Sequence, residues 1–144
     1  MSSVSEIMSE KEIVTIVADT RKTAQDVAQM MVKKRVGSVV IMDRNSHPVG
    51  IITERDMVKR VCTKNVAASR IKLEQIMSTP LITIMSYDSI DTASRVMVKN
   101  KIKRLVVLEE DNRIIGLISV TDILGAWQRS YWMIIADIDH CALL

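Results

Sequence analysis

Two short stretches decide the fold: Gly50-Ile51-Ile52-Thr53-Glu54-Arg55-Asp56 and Gly116-Leu117-Ile118-Ser119-Val120-Thr121-Asp122. Each reads as the end of a strand running into a helix. The hydroxyl residue stands where an N-cap belongs, and an acid follows three residues later, in the first turn. The hydroxyl satisfies an orphan amide, and the carboxylate suits the positive end of the helix. A single occurrence is adequately explained by capping. Two occurrences at one register call for a wider search.

That search shows a duplication, the first thing to seek in a sequence. Residues 31–60 match 97–126 without a gap at an offset of 66, with seven identities that include Met31/Met97, Val40/Val106, Gly50/Gly116 and Asp56/Asp122. Ile7-Met8-Ser9 recurs as Ile76-Met77-Ser78 at an offset of 69. Each copy opens with a short extended run, Ile13–Val17 or Leu81–Ile84. An amphipathic helix follows, with apolar residues at Ala24, Val27, Ala28 and Met31, or at Ile90, Ala93, Val96 and Met97. Next come an aliphatic strand (Val39–Met42, Leu105–Leu108), a polar turn, a second aliphatic strand (Val49–Ile52, Ile115–Ile118), and a helix starting near Asp56 or Asp122. The order β-α-β-β-α gives an α/β (α+β) class with helices on one face of a small sheet. One copy of about 60 residues is a marginal folding unit, so the expectation is one pseudo-two-fold module. Its ranges are repeat 1 at 7–61, a linker at 62–75, repeat 2 at 76–127, and an aromatic-aliphatic tail at 128–144.

Composition narrows the function. The chain has 144 residues, 48% hydrophobic, with ten Met, no Phe and only four Gly. The core must therefore be aliphatic, with Met as filler. Net charge is +3, divided unevenly: 13 Lys/Arg against 8 Asp/Glu in residues 1–72, and 7 against 9 in 73–144. The basic half suits phosphates, of a nucleotide or of nucleic acid, or simply a solvated face. The basic residues are not interleaved with aromatics, which argues against single-strand binding. Cys62 and Cys141 lack metal or disulfide spacing, and His47 and His140 add no cluster, so no metal is expected. No apolar run reaches the roughly 20 residues of a membrane span, and the N-terminus does not read as a signal peptide. A cytoplasmic protein, away from membranes, is expected. With no nucleophile elbow, P-loop or GxGxxG, catalytic residues are not expected, nor is a required cofactor.

The duplicated G-[IL]-I-[TS]-x-x-D turn, with matching strands across residues 7–126, resembles a pair of CBS (cystathionine β-synthase) domains, a Bateman module. The resemblance implies a regulatory module that binds AMP, ATP or a related adenosyl ligand in clefts between the repeats and signals to a partner by changing shape. It makes Asp56 and Asp122 ribose-binding acids. Thr53 and Ser119 become phosphate-contacting hydroxyls, and Ile51 and Leu117 strand residues lying against the ligand. Lys103 and Arg104 fall at the strand start where many members place phosphate-binding residues. Repeat 1 departs there, with Gly37 and Ser38. The family's architecture would turn Lys103 and Arg104 toward Asp56. It also implies pairing of modules, here a homodimer. The tail residues Trp127, Tyr131 and Trp132 read as a contact surface for a second copy or a protein partner. Two alternatives remain: a nucleic-acid-binding regulator, and a structural homodimerisation module without ligand.

Overall fold

The computed structural model describes residues 3–8, 15–17 and 21–129. Ile13, Val14, Ser9, Tyr131, Trp132, His140 and Cys141 lie outside the described residues. So does the tail beyond Arg129. The described chain runs α1 (Val4–Ile7), β1 (Thr15–Val17), α2 (Ala24–Lys34), β2 (Ser38–Met42), β3 (Pro48–Thr53), α3 (Glu54–Met57), β4 (Thr83–Met85), α4 (Ile90–Asn100), β5 (Arg104–Leu108) and β6 (Ile114–Ser119). A last helix, α5, covers 120–129. The class is mixed α/β. Two three-stranded sheets have the order β1-β2-β3 and β4-β5-β6. In each the outer pair is parallel (β1 with β2, β4 with β5) and the hairpin antiparallel.

The duplication extends to backbone detail. Thr23 caps α2 and Ser89 caps α4, each accepting the amide three residues on. Both helices end on a non-glycine residue in the left-handed region, Arg35 at φ 54° and Lys101 at φ 55°. Both hairpins turn through another, Ser46 at φ 63° and Asn112 at φ 62°. Both carry a register irregularity at the matching place, Ile41/Met42 and Val107/Leu108. Each pair sits 66 residues apart, as in the sequence comparison. In the first turn Asp43 accepts the amides of Asn45 and His47, both at 2.8 Å.

The compact units cut across the repeats. One consists of residues 12–82, and the other joins residues 1–11 to everything from Thr83 onward. In the 12–82 unit the core is Ala24, Val27 and Met31 of α2, Val39, Ile41 and Ile52 of the sheet, Val61, and then Ile71, Leu73 and Ile76. Residues 62–75, expected to be a linker, thus supply core side chains through two short 3₁₀ turns, Ala68–Arg70 and Leu73–Gln75. Ala24 N–H donates to Ile71 C=O at 2.8 Å and fixes this segment to the start of α2. In the other unit, Val4 is buried together with Ile84, Ile90, Ala93, Met97, Leu105, Val107 and Ile118. The amides of Val4 and Ser5 donate to the carbonyls of Asp88 and Ser86.

Each sheet therefore receives a start segment that the sequence comparison aligned with the other repeat. Met77-Ser78 lies along β3, with Ile51 and Ser78 exchanging both backbone hydrogen bonds (3.2 and 2.8 Å). The approach is close enough that a Cβ on Gly50 would stand 3.0 Å from Met77 Sδ and 3.0 Å from the Ser78 carbonyl oxygen. In the other unit a Cβ on Gly116 would stand 2.5 Å from Met8 Cε. These two glycines are needed for space, since neither has a positive φ.

Candidate functional site

In both units the strand-to-helix turn is built by the same reciprocal cap. Asp56 Oδ2 accepts the Thr53 amide (2.9 Å) and the Thr53 hydroxyl (3.1 Å), while the Asp56 amide donates back to Thr53 Oγ1 (3.3 Å). Asp122 Oδ2 accepts the Ser119 amide (2.8 Å) and hydroxyl (2.9 Å), and its own amide donates to Ser119 Oγ (3.2 Å). One carboxylate oxygen and one hydroxyl thus satisfy two helix-start amides and hold each other in place.

The same box occurs a third time, at Thr23 and Asp26 before α2 (2.8, 3.0 and 3.4 Å). A hydroxyl-x-x-acid turn is therefore a local folding device in this chain. Asp56 also has partners outside the box. Its second oxygen, Oδ1, accepts the Ser78 hydroxyl at 3.0 Å, and Arg60 Nε approaches to 4.0 Å. Arg60 also donates through Nη1 to the carbonyls of Ile76 (3.1 Å) and Met77 (2.9 Å). Asp56 is buried as a result, while Asp122 is half-buried.

The strand starts sit beside these turns within each unit. Ser38 pairs with Thr53 across the ladder, and Arg104 pairs with Ser119. The Glu54 amide donates to Gly37 C=O at 3.1 Å, and the Val120 amide to Lys103 C=O at 3.0 Å. The backbone is the same in both, but the side chains are not. The second unit sets a guanidinium and an ammonium next to its turn where the first has a hydroxymethyl group and a hydrogen. Lys103 is exposed and Arg104 half-buried, whereas Ser38 is buried. Ile51 and Leu117, two residues before each hydroxyl, are half-buried and pair with Val40 and Val106. The expected residues thus fall into two local groups: Ile51, Thr53 and Asp56 in one unit, and Leu117, Ser119, Asp122, Lys103 and Arg104 in the other.

Ser78 and Arg60 were not singled out as site residues in the sequence. A signal for Ser78 was present, because Ile76-Met77-Ser78 repeats Ile7-Met8-Ser9. Arg60 had none, since its counterpart 66 residues on is Ala126. His47 is exposed and lies 3.4 Å from Asp43 through Nδ1. Among the described residues no group of three or more His, Cys, Asp or Glu could hold a metal ion, and no helix is long and apolar enough to cross a membrane.

Residues 4–63 and 73–129 match the family model of the CBS domain. An uncharacterised protein of Methanopyrus kandleri is 34% identical over 109 residues, which span 76% of this chain and 56% of that protein. Two Methanocaldococcus jannaschii proteins match at 32% and 31% identity, over 59% and 36% of their lengths. The chain thus spans about half the length, or less, of these relatives. Among solved structures, a CBS domain protein from Pyrobaculum aerophilum complexed with AMP aligns with a TM-score of 0.74 at 25% identity, covering 84% of this chain and 89% of that one. A CBS domain pair solved with 5′-methylthioadenosine and S-adenosyl-L-methionine aligns with a TM-score of 0.76 at 23% identity, covering 90% of this chain and 98% of that one. With two matched copies in tandem, the chain belongs to the CBS-domain family.

Proposed function

We propose that this chain is a regulatory module, not an enzyme, that binds an adenosine-containing nucleotide such as AMP or ATP. The observation that carries the reading is the paired turn. A carboxylate and a hydroxyl are fixed to a strand end at one register in both units (Thr53 with Asp56, Ser119 with Asp122), in a family where a structural neighbour holds AMP. A carboxylate at such a turn can accept both hydroxyls of a ribose, as an acid does in dinucleotide folds. In this reading Asp56 and Asp122 take ribose and Ile51 and Leu117 offer backbone to the nucleoside. Lys103 and Arg104 supply charge-assisted bonds to phosphate, while Thr53 and Ser119, whose hydroxyl protons go to the acids, shape the turn that the phosphate approaches.

Binding is tested by thermal shift and titration calorimetry against AMP, ATP, adenosine and S-adenosylmethionine, since a ligand of the folded state raises the melting temperature. Removing a ribose acceptor with Asp56→Ala or Asp122→Ala is expected to weaken binding about tenfold to a hundredfold. Lys103→Ala with Arg104→Ala should weaken AMP and spare adenosine. If no nucleotide shifts the transition, the reading fails.

Signalling through a protein partner or a second copy belongs to the same proposal. It is supported by the stripe Val120, Leu124 and Trp127 on α5, spaced for one helix face and 38%, 54% and 50% exposed. Sedimentation at micromolar concentration tests it, a stable 16 kDa monomer counting against a homodimer. One observation favours the structural alternative. The box recurs at Thr23 and Asp26 as the cap of α2, so the turn has a folding role of its own.

A further inference from the structure

An ionised carboxylate offers about four acceptor positions. Around Asp56 three are taken by hydrogen bonds, from the Thr53 amide, the Thr53 hydroxyl and the Ser78 hydroxyl, and one is left, facing Arg60 Nε at 4.0 Å, beyond hydrogen-bond reach. A ribose diol needs two acceptors, so it cannot simply be added. The two bonds from Thr53 belong to the cap and recur at Thr23 with Asp26. Arg60 stays anchored by the carbonyls of Ile76 and Met77 whether or not it touches Asp56. The Ser78 hydroxyl is the donor that can leave. It comes from 22 residues away and has no other hydrogen-bond partner shown among the described residues.

We propose that Ser78 latches the Asp56 turn, so that a ribose reaches Asp56 only by displacing the Ser78 hydroxyl, and the displacement loosens the 76–78 segment from β3. The proposal rests on the nucleotide reading above and deepens it, because it makes Ser78 an affinity-setting residue and gives binding a mechanical consequence. Once the hydroxyl bond is lost, Ser78 is held to β3 by its two backbone bonds to Ile51 and by the packing of Met77 on Gly50. By reciprocity, whatever holds Ser78 down must weaken the ligand, and the ligand must weaken the hold by the same factor. The segment lies just before Ile82, where this unit ends. Arg60 holds the carbonyls of Ile76 and Met77 in the same segment, and its counterpart in the repeat is Ala126, which has no such side chain.

The test uses the full chain with AMP as probe, comparing wild type, Ser78→Ala and Ser78→Thr. AMP affinity is read by calorimetry and amide hydrogen exchange by NMR. Ser78→Ala should bind AMP about tenfold tighter, the loss of one hydrogen bond to a carboxylate from the competing state, and Ser78→Thr should restore wild-type affinity. AMP should speed exchange at the Ile51 and Ser78 amides of wild type about tenfold, and leave those of Val40 and Ile52 unchanged. Without AMP, Ser78→Ala should already exchange faster at the same two amides. If wild type binds AMP while Ser78→Ala binds it equally or more weakly, Ser78 is a bystander or a ligand contact, and the latch is overturned with the binding site intact. Unchanged exchange at Ile51 and Ser78 in ligand-free Ser78→Ala overturns it as well. If neither protein binds AMP, the nucleotide reading fails and the affinity claim falls with it.

Discussion

Replacing Asp56 by alanine should cost the folded chain clearly more than replacing Asp26, although both acids close the same hydroxyl-x-x-acid box in the same unit. At Asp26 the loss is the reciprocal cap, about 1 kcal/mol. At Asp56 the cap is lost too, and with it the bond from Ser78 at 3.0 Å to an ionised acceptor. Hydrogen bonds to charged groups contribute about 1.5–3 kcal/mol. Ser78 is half-buried, so water partly replaces the acid and the lower end applies. The Arg60 contact is long, at 4.0 Å, and its side chain is 37% exposed, so it adds under about 1 kcal/mol. Asp56→Ala should therefore lose about 2.5–3.5 kcal/mol and Asp26→Ala about 1 kcal/mol. Urea titration followed by far-ultraviolet circular dichroism measures both, provided the slope is unchanged. In Ser78→Ala the two acids should become nearly equal, a double-mutant cycle that isolates the Asp56–Ser78 term. If Asp26→Ala costs as much as Asp56→Ala in wild type, Asp56 is no more than another cap and the account of its burial is wrong.

Arg35→Gly and Lys101→Gly should each stabilise the chain by about 0.5–1 kcal/mol, because both helices end on a left-handed residue that carries a Cβ (φ 54° and 55°). Thermal melts should show the two gains adding. Gly50→Ala should destabilise by about 1–3 kcal/mol, since its Cβ meets a backbone carbonyl at 3.0 Å; Gly116→Ala should cost less, because among the described residues its Cβ meets the free end of the Met8 side chain. Pairing Gly116→Ala with Met8→Ala should relieve that contact, as a urea melt would show. The backbone amide of His47, helped by the Asn45 amide and the nearby imidazole, holds Asp43 below its ordinary pKa of 3.8 against an opposing desolvation. Its stabilisation of the hairpin is thus present above that value and lost as pH falls through the lowered one. Faster exchange at the Asn45 and His47 amides in that window, absent in Asp43→Asn, is the expected result.

The sheets were legible because their residues say one thing locally and globally. Val39, Ile41, Leu105 and Val107 are aliphatic, strand-forming and buried, and the polar turns between strands fall where the hydrophobic runs stop. Of the apolar positions expected in the first helix of each repeat, Ala24, Val27 and Met31 with Ile90, Ala93 and Met97 are buried, while Ala28 and Val96 are half-buried. The caps were legible too, since Thr53 with Asp56 and Ser119 with Asp122 are a three-residue pattern. What was not legible is everything that crosses the repeat. Ile71 and Leu73 look like ordinary linker residues until α2 and the sheet are seen to pack on them. Ser78 has no local role, so nothing in its neighbourhood points to Asp56. Arg60 reads as one more helical cation until its two carbonyl partners are in place.

The exchange of start segments also sets an order of events during synthesis. Residues 12–82 are contiguous and hold within themselves the contacts of their unit, including Met77 on Gly50. Residues 3–8 leave the ribosome earlier, yet Met8 has no seat until Gly116 is made, and Val4 none until Asp88 is made. At about 5–20 residues per second the wait for Gly116 lasts on the order of 5–20 s, long beside the folding time of a small domain. The nascent chain therefore completes its middle while an apolar leading strip, Val4, Ile7 and Met8, stays unhoused. The polar Ser3, Ser5 and Glu6 set among those residues are what keep the strip in solution until the later half arrives.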